Sequence, residues 1–171
     1  MMTKYTEYAE DVISGKVIAC KEIKLACQRY LDLFSRDDVE FRPTKADQVV
    51  NFIGKLKHFT GVHNGKNFKL LPYQQWIVYN IFGFYYKGTN KRVINYAYLE
   101  LARKSGKTML VAAILLYMMI ADGENGSECE MVANSRQQAH IAFDMCSKLL
   151  KTLDPKGKYF KRFYSYSRLF G

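Results

Sequence analysis

The chain has 171 residues, of which 49% are hydrophobic and 25% are charged. A chain of this length and apolar content can bury the core of one globular domain, which excludes intrinsically disordered, collagen-like and coiled-coil proteins. Its 26 lysines and arginines outnumber its 16 acidic residues and give a net charge of +10. This excess favours a polyanionic partner such as nucleic acid, although solvated surface charge explains it equally well.

The cysteines form no C-x-x-C pair and have no histidine at metal-ligand spacing: they are Cys20, Cys27, Cys129 and Cys146. We therefore predict reduced, mostly buried thiols rather than a disulfide scaffold or a zinc site. The N-terminal segment is polar and lacks a signal-peptide pattern. The longest apolar run, residues 109–121, is shorter than the roughly 18 residues of a transmembrane candidate. We expect an intracellular protein without a membrane span.

The N-terminal third is predicted to be helical. Apolar residues recur at helical spacing over residues 23–34 and again over residues 49–59. Thr44 and Asp47 form a capping-box pattern at the start of the second helix, where their side-chain oxygens would accept backbone N–H groups. Residues 60–69 contain two glycines and two asparagines, which indicate a loop. We therefore divide the chain into a helical N-terminal subdomain, residues 1–65, and a second domain, residues 66–171.

The second domain is predicted to alternate strands and helices. A helix-length aromatic segment begins near residue 72, and residues 93–101 are rich in β-branched and aromatic side chains, as in a buried strand. An apolar helix follows, then a second short strand over residues 129–133, then a helix that begins with a capping box at Ser135 and ends near Asp154. This βαβ order predicts an α/β fold with a parallel, doubly wound sheet.

The tripeptide Gly106-Lys107-Thr108 lies between the predicted strand and the apolar helix, where a phosphate-binding loop lies. Gly106 would allow the backbone to approach a phosphate closely, Lys107 would reach the β- and γ-phosphates, and the Thr108 hydroxyl would bind Mg²⁺. Ser105 belongs to the same loop and is a candidate for nucleotide contact. The alternative is that this tripeptide occurs in a loop by chance.

The full pattern G-x-x-x-x-G-K-[ST] is not met, because Leu101 occupies the position of its first glycine. With Arg103 placed four residues before Lys107, the loop resembles that of the large-subunit ATPase of tailed-bacteriophage terminases. Two further segments are similar to motifs of that family and occur in the same order: LPYQQW at residues 71–76 and VANSRQQA at residues 132–139. The resemblance covers most of residues 16–150.

The resemblance implies a fold, a function and partners. The fold is the first part of a P-loop NTPase sheet, truncated here, after a helical subdomain. The function is that of an N-terminal ATPase fragment of a motor that moves double-stranded DNA into a capsid, with ATP and Mg²⁺ as cofactors. The implied partners are double-stranded DNA, the portal protein and the small terminase subunit, without a membrane. The resemblance also implies a protein that is encoded by a phage or prophage and lies in the cytoplasm of the bacterial host.

The resemblance also assigns roles to single residues. Gln74 matches the glutamine of an adenine-recognition motif in that family. Its amide can offer both a donor and an acceptor to the Hoogsteen edge of adenine. Tyr73 packs on the base or simply belongs to the core, and Trp76 is assigned to the core. Arg103 would stabilise charge at the γ-phosphate and act with Lys107 in catalysis. Lys104 contacts phosphate instead, or both loop cations are merely solvated.

ATP hydrolysis requires a second acidic motif, at the end of a strand, that holds Mg²⁺ and activates water. Asp122 and Glu124 imitate this motif, but they close the predicted apolar helix, so we interpret them as an exposed turn. The family's second acidic motif and its nuclease domain would lie beyond residue 171. We therefore expect a fragment of a longer motor, or the product of a truncated gene, that does not turn over ATP by itself.

Two other functions remain open. A helicase or restriction-type translocase shares the upstream glutamine motif, the phosphate-binding loop and a similar strand order. A non-enzymatic nucleic-acid-binding module would instead use the basic tail, residues 148–171, which holds seven lysines and arginines against one acid and interleaves them with aromatic residues. The same tail has an alternating pattern typical of strand segments. Nucleotide binding distinguishes the motor from the binding module.

Overall fold

The computed structural model describes residues 3–59, 61–124 and 127–160. In these ranges the α-helices are α1 (Thr3–Ile13), α2 (Lys21–Asp32), α3 (Pro43–Lys55), α4 (Pro72–Gly83), α5 (Lys107–Ile120) and α6 (Arg136–Leu153). The strands are β1 (Val39–Phe41) and β2 (Phe84–Tyr86), and short 3₁₀ turns cover Leu33–Ser35 and Gly61–His63. The elements form two compact units, one from residues 1–54 and 69–105 and one from residues 55–68 and 106–171.

In the first unit, α1 packs against α2 and α4, and β1 pairs with β2 in an antiparallel register that aligns Phe41 with Phe84. An aromatic cluster fills the space between these elements. The Phe84 ring contacts Phe34 and Phe41 edge-on, each at a centroid distance of 5.0 Å, and Tyr30 at 5.4 Å. Such aromatic pairs each add about 0.5–1.5 kcal/mol beyond the area that they bury. The Tyr30 hydroxyl is satisfied inside this core, because it donates to the Tyr5 carbonyl at 2.9 Å.

In the second unit, α5 packs against α6, and the two helices bury Leu110, Leu116 and Leu149. The loop of residues 55–68 closes on itself through the bond from the Phe68 N–H to the Leu56 carbonyl, at 2.7 Å. It is joined to α6 by the Lys57 N–H, which donates to the Thr152 hydroxyl oxygen at 3.2 Å. The predicted loop over residues 60–69 is thus confirmed where the structure describes it, from residue 61 onward.

The helices predicted from apolar spacing are confirmed as α2 and α3, although the second ends at Lys55 rather than near residue 59. The aromatic, apolar and C-terminal helices are confirmed as α4, α5 and α6, and the Ser135 hydroxyl oxygen caps α6 by accepting the Gln138 N–H at 3.3 Å.

The prediction of a capping box at Thr44 is wrong. Because proline suits the first position of a helix, α3 begins at Pro43, and the Asp47 carboxylate instead accepts from Lys4 Nζ at 2.8 Å and the Tyr5 hydroxyl at 2.9 Å.

The fold is a helix-rich mixture of helices and strands, and in that sense the α/β class holds. The two strands predicted over residues 93–101 and 129–133 are not strands in the structure, and the sheet in the described ranges has two antiparallel strands formed by other residues. A strand needs a hydrogen-bonded neighbour. Over residues 93–101 the side chains of Tyr96 and Tyr98 are 96% and 89% exposed, so no neighbouring strand covers them.

The described helices include none that combines the length and the apolar character required to cross a membrane. The four cysteines are free thiols, and Cys27 and Cys146 are buried while Cys20 is exposed. The basic tail extends to residue 171, and its part from residue 161 onward lies outside the described residues.

Substitution of two helical glycines of the first unit by alanine is expected to have opposite effects on the stability of the chain. A Cβ at Gly83 would overlap the Phe41 ring, which packs against Phe84, whereas a Cβ at Gly54 would meet no heavy atom within 4 Å. We expect Gly83→Ala to lower the free energy of unfolding by about 1–3 kcal/mol through overpacking. We expect Gly54→Ala to raise it by a few tenths to about 1 kcal/mol, because alanine is the better helix former. Urea unfolding followed by circular dichroism measures both, and equal effects of the two variants would contradict the assignment.

The thiols predict an order of chemical labelling. Burial raises the pKa of Cys27 and of Cys146 to about 11, so at pH 8 both are buried and almost fully protonated. Because the thiolate is the reactive form, iodoacetamide should modify exposed Cys20 well before either of them. Mass spectrometry of a time course measures the order, and the same reaction in denaturant provides the control. Labelling of Cys27 as fast as Cys20 in the native chain would contradict the described packing.

Candidate functional site

The N-terminus of α5 has the geometry of an anion site. Gly106 precedes the helix with φ +77° and ψ 10°, a left-handed conformation that glycine adopts without steric cost, and no side chain caps the helix. The Gly106 carbonyl accepts the first helical bond, from the Leu110 N–H at 3.0 Å. The first N–H groups of a helix lack acceptors within it and carry its positive end. Lys107, the first residue of α5, adds a positive charge to this helix end.

The loop that leads to this helix contains a strained residue. Lys104 has φ +66°, and in the described ranges it is the only residue other than glycine with a positive φ. A left-handed conformation costs a residue with a side chain about 1–2 kcal/mol. The Ser105 hydroxyl donates to the Ala102 carbonyl at 2.7 Å and closes the turn around Lys104. One such bond contributes about 0.5–1.5 kcal/mol, which is close to the steric cost of the left-handed residue.

A second contact comes from the N-terminus of α4. The Tyr73 hydroxyl donates to the Ser105 carbonyl at 2.8 Å, and Gln74 Nε2 donates to the Tyr73 oxygen at 3.3 Å. These residues belong to the first unit, so the bond joins two parts of one compact body. The structure therefore brings together the predicted residues Tyr73, Gln74 and Ser105.

Gln74 has a fixed side chain. It is only 4% exposed, and its Oε1 accepts the Leu71 N–H at 3.0 Å, which orients the amide relative to the start of α4. The neighbouring Gln75 uses its Nε2 on the Leu70 carbonyl at 3.1 Å. Trp76 is 7% exposed and packs against Tyr8 and Tyr30, so its assignment to the core is confirmed.

The other predicted site residues lie on the loop and on α5. Arg103 and Lys104 are exposed and belong to the first unit. Gly106, Lys107 and Thr108 belong to the second unit, in which Lys107 is exposed and Thr108 is half-buried in the first turn of α5. The roles assigned to these residues stay predictions.

The sequence pattern missed the bond from Tyr73 to the loop. Tyr73 and Ser105 are 32 positions apart, and no periodicity links a tyrosine to a distant backbone carbonyl.

Asp122 and Glu124 follow the end of α5, where the chain turns, and Glu124 is exposed while Asp122 is half-buried. In the part of the chain that the structure describes, no three His, Cys, Asp or Glu side chains lie close enough together to hold a metal.

Comparison with known proteins identifies the family. Residues 72–163 match the family described as "Terminase large subunit, ATPase domain", which covers more than half of the chain. The chain is 28% identical over 146 residues to the terminase large subunits of Lactococcus phage p2 and Lactococcus phage SK1. These alignments cover 84% of this chain and 26% of each relative, so the chain spans about a quarter of their length. No solved structure matches it.

An uncapped helix start that follows a left-handed glycine is a position at which anions commonly bind in proteins, and the matched segment contains the start of α5. The chain belongs to the terminase large subunit ATPase domain family. This membership agrees with the resemblance found in the motifs, and neither the helicase nor the nucleic-acid-binding module is favoured.

The strain at Lys104 predicts a difference between two substitutions that both remove its charge. Glycine adopts the left-handed conformation freely, whereas alanine retains the steric cost. We expect the Lys104→Gly chain to be about 1 kcal/mol more stable to unfolding than the Lys104→Ala chain. Thermal and urea unfolding of the two variants measure the difference. Equal stability would show that the loop does not hold residue 104 at a positive φ.

Proposed function

We propose that residues 103–108 bind the phosphates of ATP together with Mg²⁺. The observation that carries this proposal is the N-terminus of α5, which no side chain caps, which begins at Lys107 and which follows left-handed Gly106. Helix N–H groups and the helix dipole favour a phosphate at such a position. Lys107 then contacts the β- and γ-phosphates, and Lys104 and Ser105 line the loop.

The Thr108 hydroxyl is the proposed protein ligand of Mg²⁺. Magnesium in nucleotide sites takes few protein ligands, because phosphate oxygens and water supply the rest. The Thr108 hydroxyl lies in the first turn of α5, next to the proposed phosphate position. When bound, the metal neutralises phosphate charge. The protein's own part is to present this hydroxyl and the Lys107 ammonium on one rigid helical turn.

Gln74 is proposed to recognise adenine, with Tyr73 beside it. Its amide already uses one lone pair on the Leu71 N–H and one N–H on the Tyr73 oxygen. An amide offers two N–H groups and two carbonyl lone pairs, so one of each is left for a base. The Hoogsteen edge of adenine presents an acceptor at N7 and a donor at N6, and this remaining pair is complementary to it.

Arg103 is proposed to act at the γ-phosphate, where a guanidinium stabilises charge that develops in the transition state. It is exposed on the loop, three residues before Gly106. Lys107 is its proposed catalytic partner. Turnover further requires acidic groups for water activation, and Asp122 and Glu124 follow the end of α5 opposite to Lys107, so we propose that this chain binds ATP with negligible hydrolysis.

The finer architecture is also a proposal. We infer that residues 93–101 and 129–133 are strands of a parallel P-loop NTPase sheet when neighbouring strands are present, since neither segment is helical and the two flank α5 in the sequence. The domain boundaries follow the same proposal, with a helical subdomain over residues 1–65 and the partial ATPase domain over residues 66–171. In the whole motor, ATP binding drives double-stranded DNA into a capsid in the host cytoplasm, with the portal and the small terminase subunit as partners.

Calorimetry with Mg²⁺-ATP tests the nucleotide site. We expect the chain to bind Mg²⁺-ATP and Lys107→Ala to weaken binding about ten-fold or more, because it removes a charge-assisted bond to phosphate. Lys24→Ala, which removes an exposed lysine from α2, is the matched control and should bind like the parent chain. Phosphate release measured in parallel should be negligible in all three.

Two outcomes would contradict the proposal. If the unsubstituted chain is folded but binds no Mg²⁺-ATP, the result favours the nucleic-acid-binding module. Titration of the chain with duplex DNA then tests that function. Equal weakening by Lys107→Ala and Lys24→Ala would indicate a general charge effect rather than a site at the start of α5.

A further inference from the structure

The Tyr73 hydroxyl bonds to the loop beside its most strained residue. It donates to the carbonyl of Ser105, the residue that follows left-handed Lys104, while the Ser105 side chain bonds back to Ala102. We propose that Tyr73 is a positioning residue, whose hydroxyl holds the loop in its phosphate-binding conformation before nucleotide arrives. This inference rests on the proposed function of the loop and adds a residue that acts on it through the backbone.

The energies of the loop support this assignment. The steric cost of the left-handed Lys104 is of the same size as one hydrogen bond, so the turn closed by Ser105 alone is balanced between two conformations. A strained residue persists only where its surroundings hold it in place. The bond from Tyr73 fixes the peptide on the far side of Lys104 and comes from α4, a helix buried in the core. Loss of this one bond therefore releases the loop.

Gln74 directs the Tyr73 proton toward the loop. A tyrosine hydroxyl has one hydrogen, and its oxygen here accepts from Gln74 Nε2. The single proton is thereby left for the Ser105 carbonyl, 2.8 Å away. Because Gln74 Oε1 is itself held by the Leu71 N–H, the order of donors is fixed from the start of α4 to the loop. The hydroxyl and the aromatic ring of Tyr73 thus have separable functions, the first at the loop and the second at a base.

Proteolysis without nucleotide tests the contact itself. Trypsin cleaves after Arg103 and Lys104, both exposed, and cleavage after exposed Lys66 serves as an internal reference. We expect Tyr73→Phe to raise the rate after Arg103 and Lys104 about five-fold relative to Lys66, because cleavage follows the population of open loop. Tyr79→Phe removes a hydroxyl from the same helix that bonds within α4 to Gln75, and should leave the ratio unchanged. An unchanged ratio in Tyr73→Phe would overturn the proposal.

Binding measurements separate the hydroxyl from the ring. With Mg²⁺-ATP and with Mg²⁺-tripolyphosphate, which has no base, we expect Tyr73→Phe to weaken binding of both by the same factor of about five to ten, because the competent loop is less populated. Its unfolding temperature should match that of Tyr79→Phe. If Tyr73 acted only by stacking on adenine, Tyr73→Phe would bind both ligands normally and Tyr73→Leu would lose affinity for ATP alone.

The two proposals fail in different ways. A parent chain that binds neither ligand would overturn the nucleotide site, and with it the role of Tyr73 in ligand binding. Normal binding of both ligands by Tyr73→Phe, beside loss of binding in Lys107→Ala, would retain the site and overturn the positioning role. If Tyr73→Phe weakens the binding of Mg²⁺-ATP and of Mg²⁺-tripolyphosphate by the same factor, and Tyr79→Phe binds both ligands normally, the nucleotide site and the positioning role are both supported.

Discussion

The first unit depends on the burial of α4, a helix that is apolar on almost every side. Trp76, Ile77, Val78, Tyr79 and Phe82 point in different directions around its axis and are all buried, so the chain must supply cover all round it. The N-terminal helices and the strand pair supply that cover. Because a fully buried helix has little freedom, its first turn, with Tyr73 and Gln74, is a rigid point of attachment for the loop.

The polar groups at the start of α4 satisfy one another in sequence rather than separately. The Leu71 N–H donates to the Gln74 amide, which donates to the Tyr73 hydroxyl oxygen. The Tyr73 hydroxyl in turn donates to the Ser105 carbonyl in the loop. A buried polar group without a partner is costly, so each member restricts the next. In the proposed motor site the base-reading glutamine and the phosphate loop are consequently neighbours in one hydrogen-bond chain, and a change at either end is felt at the other.

Sequence patterns predicted the local features well and the distant ones poorly. Helical periodicity located α2 and α3, the aromatic and apolar segments located α4 and α5, and Ser135 correctly marked the start of α6. The strand predicted at residues 93–101 was expected from β-branched and aromatic composition, and that at residues 129–133 from a short buried-strand pattern. A strand is defined by its hydrogen-bonded neighbours, which neither pattern contains. The motif around Gly106 indicated where a helix must begin, whereas the contact from Tyr73 depends on tertiary packing.

The segment of residues 93–101 has a consequence for the behaviour of the chain in solution. Large side chains that are almost fully exposed close together, such as Tyr96 and Tyr98, favour association with another copy of the chain. Charged residues flank the segment: Lys91 and Arg92 precede it, and Glu100 lies near its end. These residues act as gatekeepers against a parallel association of two copies, because that alignment brings like charges together at each end of the segment.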